Sequence, residues 1–179
     1  MTYKCNTCGE IHDDLPYLAN DKPYHWYTIP EKDRFSRAKL TEDTCIIDGE
    51  DYFIRGVLNI PVKDYDSDFG FGVWVTQKKE NFYVYLNNPK SDQIGPFFGW
   101  LSSELTCYKD STLNLKTIAH FVGDDNRPTI EVEPTDHPLA IDQREGITLA
   151  KAWDIVHFYT SESDLFVSLL TFEPSASIT

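Results

Sequence analysis

The chain has 179 residues, of which 29 are acidic and 16 basic, giving a net charge of −13. That length fits one domain with a core large enough to fold without disulfides, and no stretch approaches the roughly 20 apolar residues that cross a bilayer. So acidic a surface repels phosphate backbones, which argues against nucleic acid and anionic membranes as partners; it suits a basic protein partner and suits plain solubility equally well.

Aromatic residues make up 14% of the chain against a single Met, the composition of a rigid, ring-rich interior. The N-terminus shows no basic region followed by an apolar run, so a cytoplasmic location is expected. In a reducing compartment the four cysteines are expected as thiolate ligands or free thiols rather than bridges.

Residues 1–30 read as an irregular segment broken by Pro16, Pro23 and Pro30 and packed on a main domain spanning 31–172. Glu31 to Lys39 reads as a short helix, with Pro30 in its first turn. From Cys45 to about Glu133 the apolar pattern turns to period two. Ile54 to Val62 and Gly70 to Thr76 read as strands, and Leu113 to Phe121 is expected to pair with Thr129 to Glu133 across Gly123-Asp124-Asp125-Asn126. Thr148 is a natural N-cap for a helix that places Leu149, Ala152, Trp153, Val156 and Tyr159 on one face. Asp164 to Phe172 leans towards a short helix, and 173–179 reads as a frayed tail. The sum is an α+β fold, a mainly antiparallel sheet with a few helices on one face and a zinc-knuckle-like N-terminal turn.

One motif carries nameable chemistry. Cys5-Asn6-Thr7-Cys8-Gly9 places two thiols on one tight turn, and His12 follows four residues after Cys8. Tetrahedral zinc takes four ligands of this kind. Cys45 or Cys107 can supply the fourth. Cys45 is preferred, because it starts a strand that would hold it rigidly, whereas Cys107 reads as a small apolar residue. Four protein ligands leave no open position for water, so one structural zinc held by Cys5, Cys8, His12 and Cys45 is expected. A redox dithiol is less expected, since the motif precedes a Pro-broken loop rather than entering a helix.

Other patterns read as structure. Asp64-Tyr65-Asp66-Ser67-Asp68 opens like a calcium loop, but Phe69 and Val75 stand where that template needs Gly and Glu. Asp136-His137 between Pro134 and Pro138 suggests a stiff turn in which one of the pair caps backbone groups. Phe97, Phe98, Trp100 and Leu101, with Trp74, read as core around a Gly99 that permits tight packing. His120 falls on a polar strand face, His157 on a helix flank and His25 in an aromatic loop. Nucleophile elbows, phosphate-binding glycine loops and dinucleotide fingerprints are absent from the sequence.

The succession Cys5-x-x-Cys8-Gly9-x-x-His12, Asp43-x-Cys45, Phe53-x-Arg55-Gly56, Gly72-Val73-Trp74-Val75, Phe98-Gly99-Trp100-Leu101, Arg127-Pro128 and Thr135-Asp136-His137-Pro138-Leu139 resembles the bacterial domain-of-unknown-function family 2199 (DUF2199). The likeness runs from about residue 3 to residue 160. It implies bacterial origin and a single domain, favours Cys45 over Cys107 as fourth ligand, and marks Arg55, Trp100, Asp136 and His137 as a possible common binding surface. It carries no activity with it. The leading expectation is therefore a zinc-stabilised, non-catalytic domain that binds a basic protein, of immunity or accessory type. Two alternatives accompany it: a small hydrolase using Asp136 and His137 with Arg55 or Trp100, and a thiol-based redox or metal sensor using Cys5 and Cys8.

Overall fold

Alternation along two long strands organises the structure, a computed structural model that describes residues 3–5, 7–12, 14–161 and 167–170. The chain opens with a short hairpin, β1 (Tyr3–Lys4) and β2 (Ile11–His12). It then enters the main sheet as β3 (Tyr17–Asn20), followed by α1 (Tyr24–Thr28), a 3-10 turn at Glu31–Asp33 and α2 (Arg34–Arg37). Strands β4 (Ala38–Leu40), β5 (Thr44–Ile47) and β6 (Asp51–Ile60) form a meander, and after β7 (Val62–Lys63) the chain returns as β8 (Phe69–Gln77). Helix α3 (Lys79–Asn87) leads to β9 (Phe97–Trp100), β10 (Lys116–His120) and β11 (Thr129–Val132). Last come α4 (Pro138–Glu145), β12 (Ile147–Thr148), α5 (Leu149–Ser161) and β13 (Val167–Leu170).

The main sheet runs β13-β3-β8-β6-β11-β10-β9, with β5 and β4 continuing from β6. Most ladders are antiparallel; β3 with β8 and β11 with β6 are parallel. One edge of β6 pairs along its length with β8, and the other is shared. Strand β5 takes its first half, and β11 meets it at Val57. The terminal strand β9 then reaches back to β8. Leu101 bridges Val75, the Ser102 N–H donates to the Trp74 carbonyl at 2.7 Å, and the Trp100 N–H donates to Thr76 Oγ1 at 2.9 Å. Strands β8, β6, β11, β10 and β9 thus close into a small barrel-like ring. Closure needs Gly99, since a Cβ there would strike the Thr76 carbonyl oxygen.

Successive residues of β6 and β8 feed two cores on opposite faces. Ile54, Leu58, Ile60, Phe71, Val73 and Val75 enter the larger one, which the buried face of α5 (Ala152, Trp153, Ile155, Val156) covers. Phe53 and Trp74 enter a second core with Cys45, Ile47, Trp26 and Ile29. Because both faces are covered, β8 is buried almost end to end.

The expected α+β class, the strands β6 and β8, the β10–β11 hairpin and the Thr148-capped helix all appear. The Lys151 N–H donates to Thr148 Oγ1 at 3.2 Å. Several local expectations change. The segment before residue 30 is not irregular: Tyr17–Asn20 is a sheet strand and Tyr24–Thr28 a helix. The helix expected to Lys39 stops at Arg37, because Ala38–Leu40 is drawn into pairing with β5. Within 164–172, Val167–Leu170 is a strand on β3 rather than a helix, and 164–166 and 171–172 lie outside the described residues. So does the expected tail from 173 to 179.

Candidate metal centre

The knuckle is built by backbone chemistry first. The Cys5 N–H donates to the Glu10 carbonyl at 2.8 Å and the Gly9 N–H to the Cys5 carbonyl at 3.0 Å, closing the loop between β1 and β2. Gly9 sits at φ +78, a left-handed conformation that favours glycine, which is why Gly follows the second cysteine. The register Tyr3↔His12 then returns His12 alongside the thiols.

This loop docks on one side of α5. The His12 ring stacks on Trp153 with centroids 3.8 Å apart, Tyr3 stacks on the same indole at 6.5 Å, and Thr7 Oγ1 donates to Asp154 Oδ1 at 2.7 Å. One turn further, His157 points at the knuckle, its Nε2 3.1 Å from Cys5 Sγ. Cys8 Sγ lies 3.2 Å from His12 Nε2. One donor atom from each of Cys5, Cys8, His12 and His157 falls within 4.8 Å of all the others.

The donor set suits a tetrahedral ion, around which sulfur and nitrogen ligands would stand about 3.6 Å apart. Burial pushes the Cys5 thiol up. Hydrogen bonds from the Cys8 and Thr7 backbone, together with the His157 and Cys8 side chains, outweigh it and bring the thiol down to about 6. Thiolate is the form a metal binds. Cys5 is buried, Cys8 exposed and both imidazoles half-buried, so the group lies at the surface end of the helix interface. These residues can hold a metal ion.

Cys45, expected as the fourth ligand, is not brought to this group. It is fully buried in the second core, paired with Phe53, and burial pushes its thiol up to about 12. The same alternation that makes it rigid points it away from the knuckle, and His157 stands in the fourth place instead. No local spacing marks His157. Its only sequence signal is its position four residues after Trp153, one helical turn along the face that receives the N-terminus. Cys107 is also elsewhere, beside Tyr159, its thiol raised by burial to about 11.

The other expected site residues are dispersed. Arg55 lies in β6, opposite Trp74 and 7% exposed, with its guanidinium 5.9 Å from that ring and 3.9 Å from Asp21. Among the described residues its Nε and Nη2 find no hydrogen-bond partner, and burial followed by nearby Arg127 pulls the group below its ordinary value. Trp100 faces outward from β9. His137 is the N-cap of α4, where Nδ1 accepts from the Leu139 N–H at 3.1 Å and Nε2 lies 3.3 Å from the Asp110 carbonyl. Asp136 is exposed. The polar and ring contacts of these four do not join them to one another. The capping role expected within Asp136-His137 falls to His137, and the Asp64–Asp68 stretch is an exposed connection into β8.

Fold and site together define an α+β domain with a Cys-Cys-His-His group at its N-terminal docking point. The chain belongs to the family described as "Uncharacterized protein conserved in bacteria" (DUF2199), whose model matches residues 4–147. His157 lies ten residues past that match, so the match contains three of the four grouped side chains. Neither the curated proteins nor the solved structures include a match to this chain. Among the described residues no helix is long and apolar enough to cross a membrane.

Proposed function

We propose that Cys5, Cys8, His12 and His157 hold one structural zinc ion that staples the N-terminal knuckle to α5, in a non-catalytic domain that binds a basic protein. The observation that carries the metal is the meeting of four donor atoms within 4.8 Å from two ends of the chain, residues 5–12 and residue 157. Soft thiolates with imidazoles favour zinc over magnesium or calcium, and four protein ligands leave no place for a reacting water. The net charge of −13 supports the partner class.

Zinc-edge X-ray absorption on purified protein tests the staple. Two sulfurs at about 2.3 Å and two nitrogens at about 2.0–2.1 Å are expected. A shell of oxygen ligands, or no bound metal, contradicts it. For the partner, affinity capture should recover a basic protein whose retention falls as salt rises; capture indifferent to salt contradicts that part.

Cys8 is exposed, which favours a second reading of the same group as a redox sensor. Peroxide would take two electrons from the Cys5 and Cys8 thiolates, forming a disulfide and water and releasing the ion. Zinc release by mild peroxide with the fold intact is the required result, and retention of zinc removes this reading.

A further inference from the structure

Cross-strand register builds a second feature on the outer face of the barrel-like ring. Phe98, Ile118 and Glu131 lie in one row across β9, β10 and β11, because Phe98 pairs with Ile118 and Ile118 with Glu131. Trp100, Lys116 and Glu133 form the next row, joined by the Trp100↔Lys116 pair and by the Glu133 N–H to the Lys116 carbonyl at 2.8 Å. Residues two apart share a face, so both rows look outward. Rings stand along one side of this surface and carboxylates along the other, about 10 Å away across two strand spacings.

Between them runs a groove of about 400 Å³ lined by Phe98, Trp100, Lys116, Ile118, Glu131 and Glu133, among others. Phe98 and Trp100 meet edge to face at 5.1 Å and remain 42% and 41% exposed. Trp26, Trp74 and Trp153 are 6% exposed or less, so Trp100 alone offers its indole to solvent. Among the described residues the partners of these carboxylates lie at the surface. His120 Nε2 lies 2.7 Å from Glu131 and Lys116 Nζ 3.4 Å from Glu133, with both bases about half exposed. Such pairs are weak and exchangeable.

We infer that this groove is where the domain takes a lysine or arginine side chain of its partner. The apolar stem would lie across Phe98, Trp100 and Ile118, and the charged head would reach Glu131 and Glu133. The inference rests on the basic-partner reading above and gives it an address. Charge complementarity selects this occupant: in a chain of net charge −13, two carboxylates here stand against one lysine, Lys116, beside Phe98, Trp100 and Ile118, an excess of negative charge that a neutral or acidic peptide would not offset.

The test is a heteronuclear NMR titration of the intact protein with the blocked peptide acetyl-Gly-Arg-Gly-Lys-Gly-amide, beside a twin carrying Gln in place of Arg and Lys. The basic peptide should shift the Trp100 indole N–H and the Ile118 and Glu131 amides saturably, and the twin should not. Trp100→Ala, which removes a contact to the apolar stem, should weaken binding about threefold, and Glu131→Gln with Glu133→Gln about fivefold. Both changes lie on exposed positions, and an unchanged spectrum away from the groove verifies the fold. Basic-peptide binding that maps elsewhere and survives in both variants overturns the groove while sparing the basic-partner reading. Equal shifts from the two peptides overturn charge selection, and with it the groove as described. No shift from either overturns the groove and the basic-partner reading together.

Discussion

The β6–β8 pair and the N-terminal knuckle are held by different physics. The strands pair from Tyr52↔Gln77 to Ile60↔Phe69 and bury side chains on both faces, so their stability comes from removing apolar surface from water. The knuckle has two-residue strands, an exposed Cys8 and an Ile11 that is 68% exposed. It buries little, and its place is set by a stacked imidazole, a Thr7–Asp154 hydrogen bond and a group of donors that could hold a metal ion. The comparison teaches that one chain can pack a self-sufficient sheet and still hold its N-terminal hairpin by a few polar and ring contacts.

The sharpest way to break the contrast is through the sheet. Trp74 is fully buried and its indole N–H donates to the Asn20 carbonyl at 2.9 Å. Trp74→Ala should cost about 4 kcal/mol of global stability in urea unfolding. A loss below about 1 kcal/mol would mean that the second core does not support the fold as described.

Metal should act more locally. Zinc at about 100 times its dissociation constant should raise unfolding free energy by about 2.7 kcal/mol. Chelation should speed amide exchange at Cys5 and Gly9 while leaving β6 and β8 protected. Exchange that accelerates equally in both regions would erase the contrast.

Cys45→Ser should lower stability by about 2 kcal/mol, because it places a hydroxyl in an apolar site, and should leave zinc binding intact. Equal stability with lost metal would reverse the assignments of Cys45 and His157.

The smallest effect concerns pH. Burial holds the Cys45 and Cys107 thiols above their usual 9, at about 12 and 11. The folded state therefore keeps protons that the unfolded chain gives up, so this contribution is full below pH 9 and is lost as pH rises through 11 and 12. Urea midpoints should decline above pH 9, and less steeply in a Cys45→Ala, Cys107→Ala variant. Iodoacetamide at pH 8 should label the zinc-free knuckle pair before either of these cysteines. A rising alkaline midpoint, or early labelling of Cys45, would contradict their burial.

Most of the sheet was legible in the sequence because period-two alternation is local: Ile54, Leu58 and Ile60 declare β6 without help from the rest of the chain. The same holds for α5, where Thr148 and the Ala152, Trp153, Val156 spacing act within a few turns. Strand β3 was not legible, since four residues flanked by prolines become a strand only when β8 offers an edge. Helix α3, with Tyr83, Val84 and Leu86 exposed, lacks the clean apolar stripe that announces a helix. Phe98 and Trp100 read as core but face outward, because Gly99 and, just past β9, Leu101 take the buried side instead. Three of the four grouped donors lay within eight residues and could be found by spacing. The fourth, His157, is tertiary, and spacing arguments cannot reach across the chain.

Zinc content measured by plasma mass spectrometry in the parent, Cys45→Ser and His157→Ala proteins tests the central claim most directly. About one zinc per chain in the first two, and its loss in His157→Ala, is the predicted result. Zinc lost with Cys45→Ser and kept with His157→Ala, or absent from all three proteins purified without chelator, would contradict the staple.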